Sequence, residues 1–240
     1  MTDTTYFTPK VVLAVGAHAD DMDVTSAGTL LRWANEGAEI YYLQVTDSSR
    51  GSEDRGITPE QVAATRQAEQ RQAAELVGAK DVIFLNYTDG CLECNEAVKR
   101  DIVRVIRQVR PDTVITLDPT FVYSAERGMF NHPDHRAAGQ ATLDAVFPLA
   151  RDHLTYPKLL ADGLEPHKVQ HVLLTNFETQ NFYVDISEYF DRKLEIVMAH
   201  ASQFGERERM SGILSDMASA YGAKTGSKYA EGFVRIDLAY

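Results

Sequence analysis

The strongest constraint on this chain is an unbroken apolar run, Val11-Val12-Leu13-Ala14-Val15, that stops at Gly16. A strand with no polar alternation is one covered on both faces, which is the habit of parallel sheets. A helical stripe follows, carried by Val24, Ala27, Leu31 and Ala34 with Gly37 as its stop, and then a second strand from Ile40 to Val45. Strand, helix and strand in that order make a βαβ unit with parallel strands and a right-handed crossover. The alternation continues. Pro59 opens a helix to about Val77, Asp81 to Leu85 reads as a strand, and Val98, Ile102, Val105, Ile106 and Val109 recur at helical spacing before Pro111. Thr113 to Leu117 is another buried strand, and Pro133 starts a helix reaching about Phe147. Strands near His171 to Leu174 and Phe182 to Val184 come next, then a helix from about Ser187 to His200. An amphipathic helical stretch from Glu206 and a final apolar run, Phe233 to Ile236, close the pattern. The pattern predicts an α/β fold, a three-layer sandwich around a mostly parallel, doubly wound sheet. No repeat or Gly/Ser linker divides residues 1–240, which read as a single domain.

Ligands of such sheets sit beyond the carboxyl ends of the strands, where the strand order reverses, so the loops after Val15, Val45 and Leu117 are where chemistry belongs. A dinucleotide site would carry G-x-G-x-x-G after the first strand. This chain instead reads Gly16-Ala17-His18-Ala19-Asp20-Asp21-Met22-Asp23. One imidazole and three carboxylates repel phosphate and suit a divalent cation; zinc fits well, and iron, cobalt or manganese are not excluded. After the fourth strand comes Asn131-His132-Pro133-Asp134-His135. Pro133 fits the first helical position, which makes His132 the cap and puts His135 in the first turn. Each segment alone is commonplace, because carboxylates favour helix N-termini and many surface helices carry an H-x-x-H pair. Both together, at the ends of buried strands in one domain, point to a metal centre.

Composition narrows the partners. Twenty-four basic residues against 35 acidic give a net charge of −11, which argues against nucleic acid and anionic membranes. No stretch reaches the ~18 to 20 apolar residues of a membrane span, and the N-terminus has no signal-peptide pattern, so the expected location is the cytoplasm. Cys91 and Cys94 lack a second pair and read as ordinary thiols. His153, His167 and His171 have no motif partners, and Glu206-Arg207-Glu208-Arg209 reads as a solvated helix face.

Together, Gly16 to Asp23 and Asn131 to His135 resemble the two signatures of the LmbE-like (PIG-L) family of zinc-dependent N-acetylglucosamine deacetylases, A-H-P-D-D and H-x-D-H. Thr46-Asp47, Arg66-x-x-Glu69, Asp89-Gly90 and His200-Ala201-Ser202-Gln203 extend the likeness along most of the chain. Ala19 replaces the family's usual Pro, a change expected to loosen the loop while removing no ligand; Met22 and Asp23 stand where Glu is often found. The resemblance implies a Rossmann-like fold with a zinc site at the carboxyl ends of the strands. It implies that His18, Asp21 and His135 bind the metal, with Fe2+ an alternative to Zn2+. Asp20 would be the general base, His132 would stabilise charge or deliver a proton, and Asp134 would orient a histidine. Arg66, and with it Asp89, would hold sugar hydroxyls. The implied partner is a small N-acetylated amino sugar, and self-association into a homo-oligomer is expected.

The chemistry is consistent with those types. Amide hydrolysis needs a nucleophile, stabilisation of an oxyanion and protonation of a poor leaving group. A zinc ion with three protein ligands keeps positions open for water and substrate and lowers the water's pKa to about 7. A general base such as Asp20 is worth typically about 10²–10⁴-fold. Arg66 and Glu69 interrupt an apolar stripe, so they must be paired or line a cavity; Asp89 also fits a turn-forming role in Tyr87-Thr88-Asp89-Gly90. His200 could support the site from behind or simply pack. Two other readings remain open at this level: an amidase cleaving a larger amide on the same sugar, and a metal- or sugar-binding protein without catalysis.

Overall fold

The computed structural model describes residues 5–239. Seven strands form one sheet in the order β3-β2-β1-β4-β7-β9-β8, with β1 Val11–Gly16, β2 Glu39–Thr46, β3 Asp81–Tyr87, β4 Thr113–Leu117, β7 His171–Thr175, β8 Phe182–Asp185 and β9 Ala230–Asp237. Strands β1 to β4 and β7 run parallel to one another, and β9 is antiparallel to both β7 and β8. The chain therefore leaves β1 for β2 and β3 on one side and returns to β4 on the other. The reversal falls between β1 and β4, where a doubly wound sheet opens its ligand crevice. Helices α1 (Asp21–Asn35), α2 (Pro59–Val77) and α6 (Phe190–Met198) pack together on one face, while α3 (Glu96–Val109) and α4 (Pro133–Asp144) pack on the other. Two further α-helices are α5 (Pro157–Ala161) and α7 (Arg207–Thr225), the latter against β8 and β9, and a π-helical turn spans Ala145–Leu149. Among the described helices none is long and apolar enough to cross a membrane.

The local signals operate as expected. Val12 to Val15 are fully buried. Thr58 and Gln61 form a reciprocal capping box ahead of α2, Pro59 takes its first position, and Gly78 ends it at φ 82°. His132 caps α4, its ring accepting the Asp134 N–H. Two helix boundaries and one ribbon differ. The helix begun at Pro133 ends at Asp144 rather than near Phe147, which leaves helical dihedrals (φ −142°, ψ 124°) ahead of Pro148, because a residue before proline is pushed to extended backbone. The helix expected from Ser187 begins at Phe190, since the Ser187 N–H and hydroxyl are held by Asp185 instead. A two-stranded ribbon, β5 (Tyr123–Ser124) with β6 (Met129–Phe130), had no legible signal.

One close approach positions the crevice. A Cβ on Gly139 would lie 2.2 Å from the Leu117 carbonyl oxygen, so only glycine lets α4 settle against the end of β4 and bring its first turn beside β1. Gly139→Ala is expected to lower the unfolding free energy by about 1–3 kcal/mol, as overpacking does, in equilibrium urea denaturation.

Candidate metal centre

Two loops meet at the reversal point. The segment after β1 turns sharply at Asp20, whose φ of 87° places it in the left-handed region that Asp tolerates better than most residues. The turn sets Asp21 at the start of α1 with its Oδ2 accepting the N–H groups of Ala17 and His18, both at 2.8 Å. His18 points to the crevice. From the other side α4 presents His135, one turn in from the His132 cap.

Hydrogen bonds fix how each imidazole faces the centre. His18 Nε2 lies 3.3 Å from Asp134 Oδ2 and 3.2 Å from Asp89 Oδ1, so that nitrogen carries the proton and Nδ1 turns inward. His135 Nδ1 lies 3.1 Å from Asn131 Oδ1, and the Asn131 amide is oriented by donating from Nδ2 to the Phe121 carbonyl at 2.7 Å. His135 therefore donates from Nδ1 and turns Nε2 inward. The two inward nitrogens are 3.3 Å apart, and Asp21 Oδ1 is 3.1 Å from His135 Nε2. Three electron-rich atoms aimed at one point repel one another unless a positive charge sits between them. Tetrahedral zinc, with donors about 2.0–2.1 Å away, spaces its ligands by about 3.3 Å, which these two separations match; the third side is longer, His18 Nδ1 lying 3.9 Å from the nearer Asp21 oxygen, Oδ2. Two nitrogens and a carboxylate oxygen form a set that zinc accepts readily.

Burial opposes charging of His18, yet the carboxylates of Asp134 and Asp89 raise its pKa to about 10, so the pocket favours positive charge between the two rings, either a proton or a cation that displaces it. Burial likewise opposes ionisation of Asp21, but His135 and His18 hold it well below the usual carboxylate range. Asp20 goes the other way: desolvation first, and then the Asp21 charge, push it up to about 7. Its side chain makes no capping bond to α1. His132, exposed at the mouth with its ring 4.7 Å from that of His18, is lowered by burial and by the neighbouring histidines. Donor atoms of His18, His132 and His135 all lie within 4.8 Å of one another, as do those of His18, Asp89 and Asp134. The second group has its carboxylates already bonded, to Gly90 and Leu92 N–H from Asp134 and to Arg50 N–H from Asp89.

All eight residues singled out in the sequence surround one cleft or back it. A cavity of about 360 Å³ is lined by His18, Asp20, Asp21, Arg66, Asp89 and His132, together with His135, Arg50 and Gln203. Asp134 stands behind His18 rather than beside the His132 ring, to which it gives only its backbone N–H. Asp89 also faces His18, so it braces that ring in addition to lining the cleft. Arg66 and Glu69 are not paired with each other: Arg66 reaches the Gln203 side-chain oxygen, and Glu69 accepts from the Ser202 N–H and hydroxyl, each at 2.7 Å. The Ala19 loop is not slack. Its N–H, which proline would lack, donates to Ser48 Oγ at 2.9 Å. His200 is fully buried and its Nε2 lies 2.8 Å from Asp23 Oδ2, while Gln70 joins Asp23 to the Asp20 N–H. Asn131, Arg50, Ser48 and Gln70 went unassigned in the sequence; only Asn131, four residues before His135 and outside the helix, carried a local signal. Cys91 and Cys94 are free thiols. His167 bonds the Pro111 carbonyl, His171 meets Asp237 and exposed His153 lies near Asp152, all away from the cleft.

A mostly parallel α/β sheet with a histidine–carboxylate cluster at its reversal point defines the class. Residues 13–146 match the family model described as GlcNAc-PI de-N-acetylase, and the chain belongs to this PIG-L family. A diacetylchitobiose deacetylase from Thermococcus kodakarensis is 35% identical over 225 residues, spanning 93% of this chain and 82% of the relative. The structure of N,N'-diacetylchitobiose deacetylase from Pyrococcus horikoshii, complexed with its inhibitor MPG, superposes with a TM-score of 0.88 at 30% identity, covering 95% of this chain and 84% of that one. GalB, a 4-carboxy-2-hydroxymuconate hydratase from Pseudomonas putida, shares the fold at 20% identity with a TM-score of 0.79, covering 96% of this chain and 98% of its own. That likeness extends to the fold alone, so the reaction must be argued from the site.

Removing the acceptor behind His135 tests the lone-pair arrangement. Asn131→Leu is expected to weaken Zn2+ binding by about 10–100-fold, read by competition with a chromophoric chelator.

Proposed function

We propose that this protein is a zinc-dependent hydrolase that removes the acetyl group from an N-acetylglucosamine-type substrate. The observation that carries the reading is the convergence of the inward donor atoms of His18, His135 and Asp21 beside Asp20, a carboxylate with no capping duty. Mere metal binding requires no such neighbour. The deacetylase relatives at 30–35% identity support the substrate class.

His18, Asp21 and His135 would hold the ion, which supplies Lewis acidity and an acidified water when bound. Asp20 takes the proton of the attacking water, and a pKa near 7 lets it both accept that proton and give it up. The water oxygen bonds to the acyl carbon, the C–N bond breaks, and the proton passes from Asp20 to the departing nitrogen, leaving acetate and a free amine. His132 receives the Asp134 N–H at Nδ1 and therefore carries its own proton on Nε2. With its pKa lowered it stays neutral at pH 7 and donates a hydrogen bond to the acyl oxygen as charge develops there. Asp134 and Asp89 hold the His18 ring, and Arg66 faces the side of the cleft open to sugar hydroxyls. The reading also includes a single domain and a cytoplasmic location, both from the sequence pattern, and self-association, from the family resemblance.

Asp20→Asn is expected to leave zinc content near that of the wild type while lowering acetate release by about 10²–10⁴-fold; turnover near wild type would remove Asp20 from its role. Metal analysis of the purified protein, followed by chelator treatment and re-addition of Zn2+ or Fe2+, should show acetate release lost and then restored by zinc. Release of a larger acid from a bulkier amide, with no acetate from any N-acetyl sugar, would favour an amidase instead.

A further inference from the structure

A second cavity opens on the other side of the same three residues. It has a volume of about 130 Å³ and shares Asp20, Asp21 and His135 with the larger cleft. Its remaining wall is built from Val24, Leu117, Phe121 and Phe177, with Thr25, Asp118, Asn131 and Thr175 between them. Three of the polar groups on this side are spent inward. Thr25 Oγ1 donates to the Asp21 carbonyl at 2.7 Å. Asp118 accepts from the Thr120 N–H and hydroxyl and from the Asn176 amide. The Asn131 side chain is divided between His135 and the Phe121 carbonyl. Phe121 and Phe177 meet edge to face, centroids 5.9 Å apart, and form an aromatic wall. The larger cleft is the opposite in character, with Arg50, Arg66, Asp89 and Gln203 around it and the Arg66 Nε buried without a partner.

An amide placed with its carbonyl at the junction must send one substituent into each cavity. We propose that the small apolar cavity receives the acyl chain and the polar cleft the amine-bearing sugar, so that Val24, Phe121 and Phe177 set the acyl length this protein accepts. This inference rests on the deacetylase reading and adds the direction in which substrate lies. Sugar hydroxyls would go unpaired in the smaller cavity, and a methyl group would gain nothing beside Arg66; both costs favour the same orientation. The volume fits a short, unbranched acyl chain.

The test uses the zinc-loaded full chain with glucosamine carrying N-acetyl, N-butyryl or N-hexanoyl groups, and with N-acetylated chitobiose, following release of free amine. Phe177→Ala is expected to raise kcat/KM for the butyryl substrate relative to the acetyl one by about tenfold or more, in line with the worth of methylenes in an apolar pocket. Val24→Phe should move the same ratio the opposite way. The ratio between the two acetylated sugars should stay put in both variants, because the amine side is untouched; a merely structural loss would lower every substrate together. Wild-type cleavage of the acetyl sugar with an unchanged acyl-length profile in both variants would overturn this orientation while leaving the deacetylase reading intact. Failure of the wild type to cleave any N-acyl sugar would overturn the deacetylase reading, and the orientation with it.

Discussion

Two imidazole nitrogens, each turned inward by the bond its other ring nitrogen makes, face one another across 3.3 Å. That arrangement is unfavourable unless a positive charge lies between them, and most of the surrounding structure serves to maintain it. Asn131 and the Asp134–Asp89 pair fix the ring orientations. Backbone N–H groups from Gly90, Leu92 and Arg50 hold the two carboxylates in turn. The strained turn at Asp20 and the close approach of Gly139 to Leu117 deliver the two loops to the same place. The site is thus organised by outer bonds as much as by its central donors.

The reversal of strand order does more than create a crevice. It places two helix starts, those of α1 and α4, on opposite sides of one gap, and each brings its own surroundings. On the side of α2 and the β2–α2 loop the walls are cationic and polar; on the side of β4 and β7 they are largely apolar, with Thr25, Asp118 and Asn131 bonded away from the cavity. A single set of central residues therefore faces two chemically different rooms. Such asymmetry orients an unsymmetrical substrate without any contact to the reacting atoms.

Several neighbours of the site compensate for one another. Ala19 keeps an N–H, which Ser48 holds, so the loop is tied by a hydrogen bond where a proline ring would stiffen it. Arg66 and Glu69, three residues apart on α2, look like a helix-surface pair yet bind Gln203 and Ser202. They fasten the segment after α6 to the edge of the cleft. Behind Asp20, hydrogen bonds link the buried side chains of Gln70, Asp23, His200 and Tyr42, with only the His200 Nδ1 among them left without a partner.

The sequence by itself determined the layered α/β fold, because unbroken apolar strands and 3.6-residue stripes alternate and each period dictates its element. It also marked two helix caps and the six residues just beyond Gly16 and around Pro133, where a strand end and a helix start bring chemistry-bearing side chains together, while Arg66 rested on the family resemblance and Asp89 on a turn. What only the tertiary structure decided was direction and partnership. Which nitrogen of His18 turns inward, whose ring Asp134 braces, and whether Arg66 pairs with Glu69 depend on groups 40 to over 130 residues away, such as Gly90 and Gln203. The small apolar cavity was equally invisible, because its wall joins residues of α1, β4 and the loop after β7 that share no local period. Local patterns record backbone conformation and burial; they carry no record of how rings and carboxylates from distant loops divide their hydrogen bonds.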